Sequence, residues 1–185
     1  MPFLSFLLPL LMWFAPPAAP PQDSADKPGV FAWSAQRALT WADFKSQPTP
    51  ADRLALTSTT IDVQVGCQDF VFSSKVKAVF VPTESWVREA TKASPNLLRH
   101  EQLHFDITEF HARRLRQKLS LLKLDCDHLQ PTFQNLTKAV FTEWQREESR
   151  YDQETNHGLN EVKQKYWEQQ TQKRLALLND FAAAP

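Results

Sequence analysis

The chain has 185 residues, and 21 lysines and arginines balance 21 aspartates and glutamates. This balance argues against a nucleic-acid-binding protein, which would carry a basic excess. The length is sufficient for one domain, and six tryptophans with 13 phenylalanines predict an aromatic core.

The N-terminal segment predicts export. Residues 3–14 are almost wholly apolar, and alanines mixed with prolines follow as far as Pro21, as in a signal peptide. This run is short for a membrane span, which needs about 20 apolar residues. We therefore expect a signal peptide over residues 1–21, no stable membrane insertion after its removal, and a periplasmic or secreted protein. The alternative is an uncleaved N-terminal anchor. Residues 22–30 are predicted to be a linker, and residues 31–181 a single domain.

The chain contains two cysteines, Cys67 and Cys126. An even number of cysteines after an export signal predicts a disulfide. Such a bridge would close a loop of about 60 residues and contribute roughly 4 kcal/mol in the chain-entropy model. Two separate buried thiols, or Cys126 as a zinc ligand, are the alternatives.

The first half of the domain is rich in β-branched residues. Residues 54–65 and 70–81 contain stretches that alternate between apolar and polar side chains, which predicts an antiparallel hairpin. We place its turn at residues 66–69. Residues 83–87 are expected to begin a short helix that anchors Trp86 in the core.

A long helix is predicted from Pro95 to about Leu122. Ser94 is a favourable N-cap, proline is favoured at the first helical position, and neither glycine nor proline interrupts the segment. Leu103 and Ile107 belong to an apolar stripe at helical spacing. The opposite face is expected to be largely solvated. It carries Arg99, Gln102, Asp106, Glu109 and Arg113.

Two more long helices are predicted to follow, at residues 133–150 and 159–181. The segment between them, residues 151–158, ends at Gly158 and is expected to break the helix. The apolar residues of the third helix are expected to face inward: Val162, Tyr166, Trp167, Leu175 and Leu178. The predicted class is therefore α+β, with an antiparallel hairpin or sheet followed by three long helices.

The first long helix carries the pattern His100-Glu-Gln-Leu-His104, the HExxH motif. On a helix, His100 and His104 lie one above the other, so both imidazoles can reach one metal ion. Glu101 lies about 100° round the helix, where its carboxylate can take a proton from a metal-bound water. The pattern predicts a Zn²⁺ site with Glu101 as general base. The alternative is a pair of ordinary surface histidines.

A catalytic zinc uses three protein ligands and keeps one position open. The segment after the second helix supplies suitable side chains. We select His157 as the third ligand, because it lies at a turn between two helices that must pack near the first. Asp152 and Glu154 are the alternatives, and Asp152 is also suited to orienting an imidazole. Tyr151 is expected to donate a hydrogen bond to a developing oxyanion.

Three blocks of sequence together resemble a bacterial family. They are Leu39-Thr-Trp-Ala-Asp-Phe44, His100-Glu-Gln-Leu-His-Phe-Asp-Ile107 and Tyr151-Asp-x-x-Thr-x-His-Gly158. Over about residues 31–178 the chain is similar to a bacterial domain of unknown function that is labelled a predicted secreted zinc-dependent protease. The resemblance implies a zincin-like fold, metallopeptidase activity and bacterial export.

We therefore expect an exported zinc metallopeptidase in which His100, His104 and His157 bind Zn²⁺ and the substrate is a peptide or protein. The strand at residues 75–81 is expected to pair with an extended substrate. The alternative is a non-catalytic zinc-binding protein or an envelope-assembly or interaction protein.

Overall fold

A computed structural model describes residues 29–50, 53–122 and 124–183. The expected signal peptide and most of the expected linker lie outside these described residues. The strands are β1 (Phe31–Ala32), β2 (Ala55–Leu56), β3 (Thr59–Gln68), β4 (Val71–Phe80) and β5 (Trp86–Val87), and the helices are α1 (Pro95–Leu121), α2 (Thr132–Thr155) and α3 (Glu161–Leu177). The predicted α+β class is confirmed. Within the described part of the chain, no helix is long and apolar enough to cross a membrane.

Strands β3 and β4 form the predicted antiparallel hairpin. Their register pairs Thr59 with Phe80 at one end and Gln68 with Val71 at the other. Strand β1 pairs with the end of β4, so β4 is the middle strand of a three-stranded sheet. Strands β2 and β5 pair separately as a short antiparallel ribbon.

The predicted position of the hairpin turn was wrong. Strand β3 continues through Gly66, and the chain reverses at Asp69 and Phe70, whose φ angles are 50° and 63°. Two consecutive left-handed residues produce the tight turn that matches the twist of a hairpin. Gly66 pairs with Ser73 as an ordinary strand residue, so the glycine is not needed for the reversal.

The short helix expected at residues 83–87 is also not formed as predicted. A single 3₁₀ turn, Pro82–Glu84, is followed at once by strand β5. Proline starts the turn, and pairing of β5 with β2 then holds the chain extended. Trp86 is buried, as expected.

Helix α1 is the centre of the domain, because it packs against β3 and β4 as well as against α2 and α3. Its predicted start is confirmed, with the Ser94 side chain as the cap and Pro95 in the first turn. The face expected to be solvated is so only at its start: Arg99 is exposed, but Glu109 is 2% exposed and Arg113 is 5% exposed. Arg113 and Arg116 both donate hydrogen bonds to the Glu109 carboxylate, at 2.8 and 3.0 Å. Burial is tolerated because these charges are paired.

Helix α2 extends beyond its predicted end near Arg150. It continues to Thr155, and Asn156 closes it in the left-handed conformation. No glycine or proline precedes Gly158 in this segment, so nothing stops the helix earlier. The consequence is that Tyr151 and Asp152 lie on a regular helix and not in a loop.

Helix α3 contacts α1 through a stripe that apolar periodicity does not reveal. Its buried residues are Gln164, Trp167, Thr171 and Leu175. The expected inward positions of Val162 and Tyr166 were wrong, because these side chains are 79% and 54% exposed. Because the polar residues Gln164 and Thr171 lie on the buried face of α3, the apolar residues Val162 and Tyr166 lie on its exposed face.

The predicted disulfide between Cys67 and Cys126 is present, with the two Cα atoms 6.0 Å apart. It joins the tip region of the hairpin to the connection between α1 and α2. The bridge therefore links the sheet to the helical layer at the end away from the α2–α3 turn.

Candidate metal centre

Helices α1 and α2 face each other through polar side chains. His100 and His104 lie one turn apart on α1, and Glu148 and Asp152 lie one turn apart on α2. Side chains at this spacing share one face of a helix. The packing of the two helices therefore brings two imidazoles and two carboxylates together.

Asp152 lies at the centre of this group. Its Oδ1 atom is 3.2 Å from His100 Nε2, 3.0 Å from His104 Nε2 and 3.4 Å from His157 Nδ1. The ligand atoms of His100, Asp152 and His157 all lie within 4.8 Å of one another. Imidazole nitrogens and a carboxylate oxygen are the donors that zinc takes in catalytic sites. The chemistry of this donor set fits a metal ion.

The turn after α2 places the two candidates for third ligand side by side. His157, selected from the sequence, and Asp152, its alternative, both belong to the cluster. Glu154 points elsewhere, since its carboxylate accepts a hydrogen bond of 3.0 Å from Trp167 Nε1. The choice between His157 and Asp152 stays a prediction.

Glu101 is buried beside the same cluster, but its contacts differ from those of the histidines. Its side chain lines the cleft and is 4% exposed. Within the described part of the chain its carboxylate accepts no hydrogen bond, although its charge acts on His104. A buried carboxylate is normally paired or hydrogen-bonded. The Glu101 oxygens are not sealed from the cleft, so both remain available to a molecule bound there.

Tyr151 lies beneath the histidines. Its ring stacks on His100 with centroids 4.7 Å apart, and its hydroxyl donates to Gln164 Oε1 at 2.8 Å. Burial raises the pKa of Tyr151 far above its ordinary value, so the phenol stays neutral. The side chain is fully buried and is not part of the cleft wall. Its expected role as an oxyanion donor stays a prediction.

The charges of the cluster depend on one another. Burial opposes ionisation of His104, but the charge of Glu148 and hydrogen bonds to Asp152 and Glu148 outweigh it and raise the His104 pKa well above its usual range. Burial likewise opposes ionisation of Asp152, yet hydrogen bonds from His100 and His104 hold the Asp152 pKa far below its usual range. A metal ion that binds here must displace a proton from an imidazole.

The cluster lies in a cleft of about 1060 Å³. Residues 53–59 and 87–89 form the wall opposite the helices. From this wall the Arg53 guanidinium comes within 3.9 Å of Asp152 Oδ2. The strand expected to receive substrate, residues 75–81, is largely the middle strand β4 and does not line the cleft. The strand residues at the cleft are those of β2, the start of β3 and Val87 of β5.

Sequence reasoning missed two residues that contact the histidines. The Glu148 carboxylate is hydrogen-bonded to His104 Nδ1, and Gln164 Oε1 is 3.3 Å from His100 Nδ1. The spacing of Glu148 one turn before Asp152 was an available signal once α2 was known to continue. Gln164 lies on α3 in no motif, and no sequence signal pointed to it.

Residues 19–158 match the model of a family described as a bacterial protein of unknown function (DUF922). The chain belongs to this family. The match ends at Gly158, so it includes the HExxH residues, Asp152 and His157. Helix α3 lies after the end of the match. No curated protein and no solved structure matches the chain significantly. The DUF922 description gives no activity, so the protease label stays a prediction.

Proposed function

We propose that this DUF922 domain is an exported zinc-dependent metallopeptidase. The donor set around Asp152 supports a metal ion, and the disulfide supports a compartment outside the reducing cytosol. The predicted signal peptide is consistent with the same location.

The observation that carries the proposal is the state of Glu101. The Glu101 carboxylate interacts with the charge of His104 but accepts no hydrogen bond from the described residues, so its oxygens remain open to the cleft. Glu101 follows His100 directly on α1 and therefore borders the donor cluster while facing the cleft. This is the position that a general base needs, within reach of a water held at the cluster.

The residues divide into distinct roles in this proposal. His100, His104 and one of Asp152 or His157 hold the metal. When bound, zinc supplies Lewis acidity, which polarises a carbonyl group and lowers the pKa of water. Glu101 takes the proton of the attacking water and delivers it to the leaving amine.

The size of the cleft supports a peptide substrate. A volume of about 1060 Å³ lies at the upper end of the range for small-molecule sites, roughly 300–1,000 Å³. Its walls carry apolar side chains from both layers, including Leu56 and Leu97, alongside charged residues such as Arg53 and Glu161. A mixed surface of this size suits several residues of an extended chain.

The decisive experiment compares Glu101→Gln with Glu89→Gln. Both glutamates line the cleft, but Glu89 is exposed and pairs with Lys92. We expect both variants to retain one zinc ion per chain by elemental mass spectrometry. Hydrolysis of a fluorogenic peptide library should fall about 10²–10⁴-fold in Glu101→Gln and stay unchanged in Glu89→Gln. Equal hydrolysis by Glu101→Gln and wild type would refute the mechanism.

A second measurement identifies the third ligand. Zinc retained in His157→Ala but lost in Asp152→Asn would assign Asp152, and the reverse result would assign His157. Stoichiometric zinc in wild type, with no hydrolysis of any peptide, would favour the non-catalytic zinc-binding alternative. Wild type that binds no zinc after reconstitution would contradict both functions.

A further inference from the structure

Each of the two HExxH imidazoles contacts a polar side chain through Nδ1. The partner of His104 comes from α2 and the partner of His100 from α3. His104 Nδ1 contacts the Glu148 carboxylate of α2, while its Nε2 faces Asp152. A carboxylate can only accept, so Nδ1 must carry the hydrogen. Nε2 faces the Asp152 carboxylate and carries hydrogen by the same argument, so it is the nitrogen that loses its proton when a metal ion binds at the cluster. Glu148 is itself fixed, because Trp144 Nε1 donates to its other oxygen at 2.8 Å.

His100 is oriented in the same sense by Gln164 of α3. The Gln164 amide donates through Nε2 to Glu168 Oε1 at 3.1 Å. Because this atom donates to a carboxylate, it is the amide nitrogen, and the other amide atom is the oxygen. The hydrogen-bond network thus assigns the amide orientation. Oε1 then accepts from the Tyr151 hydroxyl at 2.8 Å and lies 3.3 Å from His100 Nδ1. His100 Nδ1 therefore carries hydrogen as well, and Nε2 faces Asp152.

His157 lacks this support. It faces Asp152 through Nδ1 at 3.4 Å and is 46% exposed. Within the described residues, its side-chain contacts are Asp152 and the His100 ring, and neither is an acceptor for its Nε2. The cluster thus contains two imidazoles oriented before metal binding and one that is not.

We propose that Glu148 and Gln164, here called the imidazole clamp, are positioning residues that set His100 and His104 with Nε2 toward the metal. The inference rests on the proposed function only for the presence of a metal ion, not for hydrolysis. Outer hydrogen-bond partners of this kind fix the tautomer and ring direction, and their loss typically weakens metal binding about 10–100-fold. Gln164 lies beyond the DUF922 match, so the clamp assigns α3 a part in the site.

The test measures zinc affinity by competition with a chromophoric chelator. Glu148→Leu and Gln164→Leu should each weaken zinc binding about 10–100-fold, while Glu148→Gln, which keeps an oxygen acceptor, should recover part of the loss. Glu143→Leu is the matched control on α2, because Glu143 is 42% exposed and pairs with Arg114. Circular dichroism confirms that each variant is folded.

Nitrogen NMR of the metal-free protein at alkaline pH, where the imidazoles are neutral, tests the clamp directly. We expect Nδ1–H tautomers for His100 and His104 in wild type, and mixed tautomers for the affected histidine in each leucine variant. Unchanged tautomers together with zinc affinities within twofold of wild type would overturn the inference. Absence of peptidase activity would not contradict the imidazole clamp. A wild type that does not bind zinc would refute the proposed function, and the NMR spectra would still test whether the clamp sets the tautomers.

Discussion

Gly158 lies directly against His100: a Cβ atom at position 158 would stand 2.9 Å from the His100 Cβ and 3.0 Å from its ring Cγ. The φ angle of Gly158 is +82°, a conformation that other residues adopt only with strain. The turn after α2 can therefore approach the first metal-site histidine only because this residue is glycine. The sequence predicts a helix break at Gly158, and the structure shows in addition its close contact with His100.

The first prediction follows from this contact. Gly158→Ala should lower the free energy of unfolding by about 1–3 kcal/mol, from backbone strain and the clash together. It should also weaken zinc binding, because the His100 ring must shift. Chelator competition and urea unfolding measure the two effects.

Gly29→Ala provides the matched control for Gly158→Ala. Gly29 has nearly the same φ, +81°, but the nearest atom to a Cβ at that position is Pro82 Cγ at 3.8 Å. This variant should show backbone strain alone and bind zinc as wild type does. Equal zinc affinity in both glycine variants would contradict a role for the Gly158–His100 contact.

The second prediction concerns the disulfide. Replacing Cys67 and Cys126 by serine releases a loop with a sequence separation of 59 residues. In the chain-entropy model this should lower the free energy of unfolding by about 4 kcal/mol. Chemical unfolding of the double variant measures the effect, with wild type in reducing buffer as an independent check. Because the bridge lies away from the metal centre, zinc affinity of the folded variant should not change.

The third prediction concerns the buried charges of α1. Glu109→Ala leaves two guanidinium groups without their carboxylate, and removal of one partner from a buried ion pair costs about 3–5 kcal/mol. Glu109→Gln keeps an acceptor for Arg113 and Arg116 and should cost less. A loss below about 1 kcal/mol for Glu109→Ala, the usual worth of an exposed pair, would show that water reaches this cluster.

Local patterns predict α1 and its two histidines well, because a cap, an uninterrupted helix and an apolar stripe are properties of neighbouring residues. The burial of Glu109 and Arg113 was not predictable in the same way. Each side chain alone favours solvent, and only their mutual pairing inside the fold makes burial tolerable. Periodicity assigns such a face to water.

The candidate metal site shows the same limit at longer range. The HExxH pattern predicts two ligands because helix geometry fixes their separation. The position of Asp152 between three imidazoles depends on how α2 crosses α1 and on where α2 ends. Gln164 depends further on the packing of α3, whose buried stripe is partly polar. These are relations between helices, and no single segment encodes them.

The last prediction concerns pH. Glu147 of α2 accepts a hydrogen bond from His111 Nε2 at 2.8 Å and pairs with the Arg174 guanidinium of α3. Burial opposes ionisation of Glu147, but these partners outweigh it and lower the Glu147 pKa from 4.5 to about 2. Above pH 4.5 the carboxylate is ionised in the folded and the unfolded chain, and its contribution to stability is complete. As the pH falls from 4.5 towards 2, the unfolded chain binds a proton that the folded chain does not, so stability is lost.

Glu147→Gln isolates this contribution. The difference in unfolding free energy between wild type and Glu147→Gln should be at most about 3 kcal/mol at neutral pH, since Glu147 keeps some contact with solvent. It should shrink steadily as the pH falls from 4.5 to 2. Glu143→Gln, one turn earlier on α2, removes an exposed pair and should give a small difference throughout. Urea unfolding at several pH values measures both, and a Glu147 difference that does not shrink would show that its carboxylate does not hold α2 and α3 together by charge.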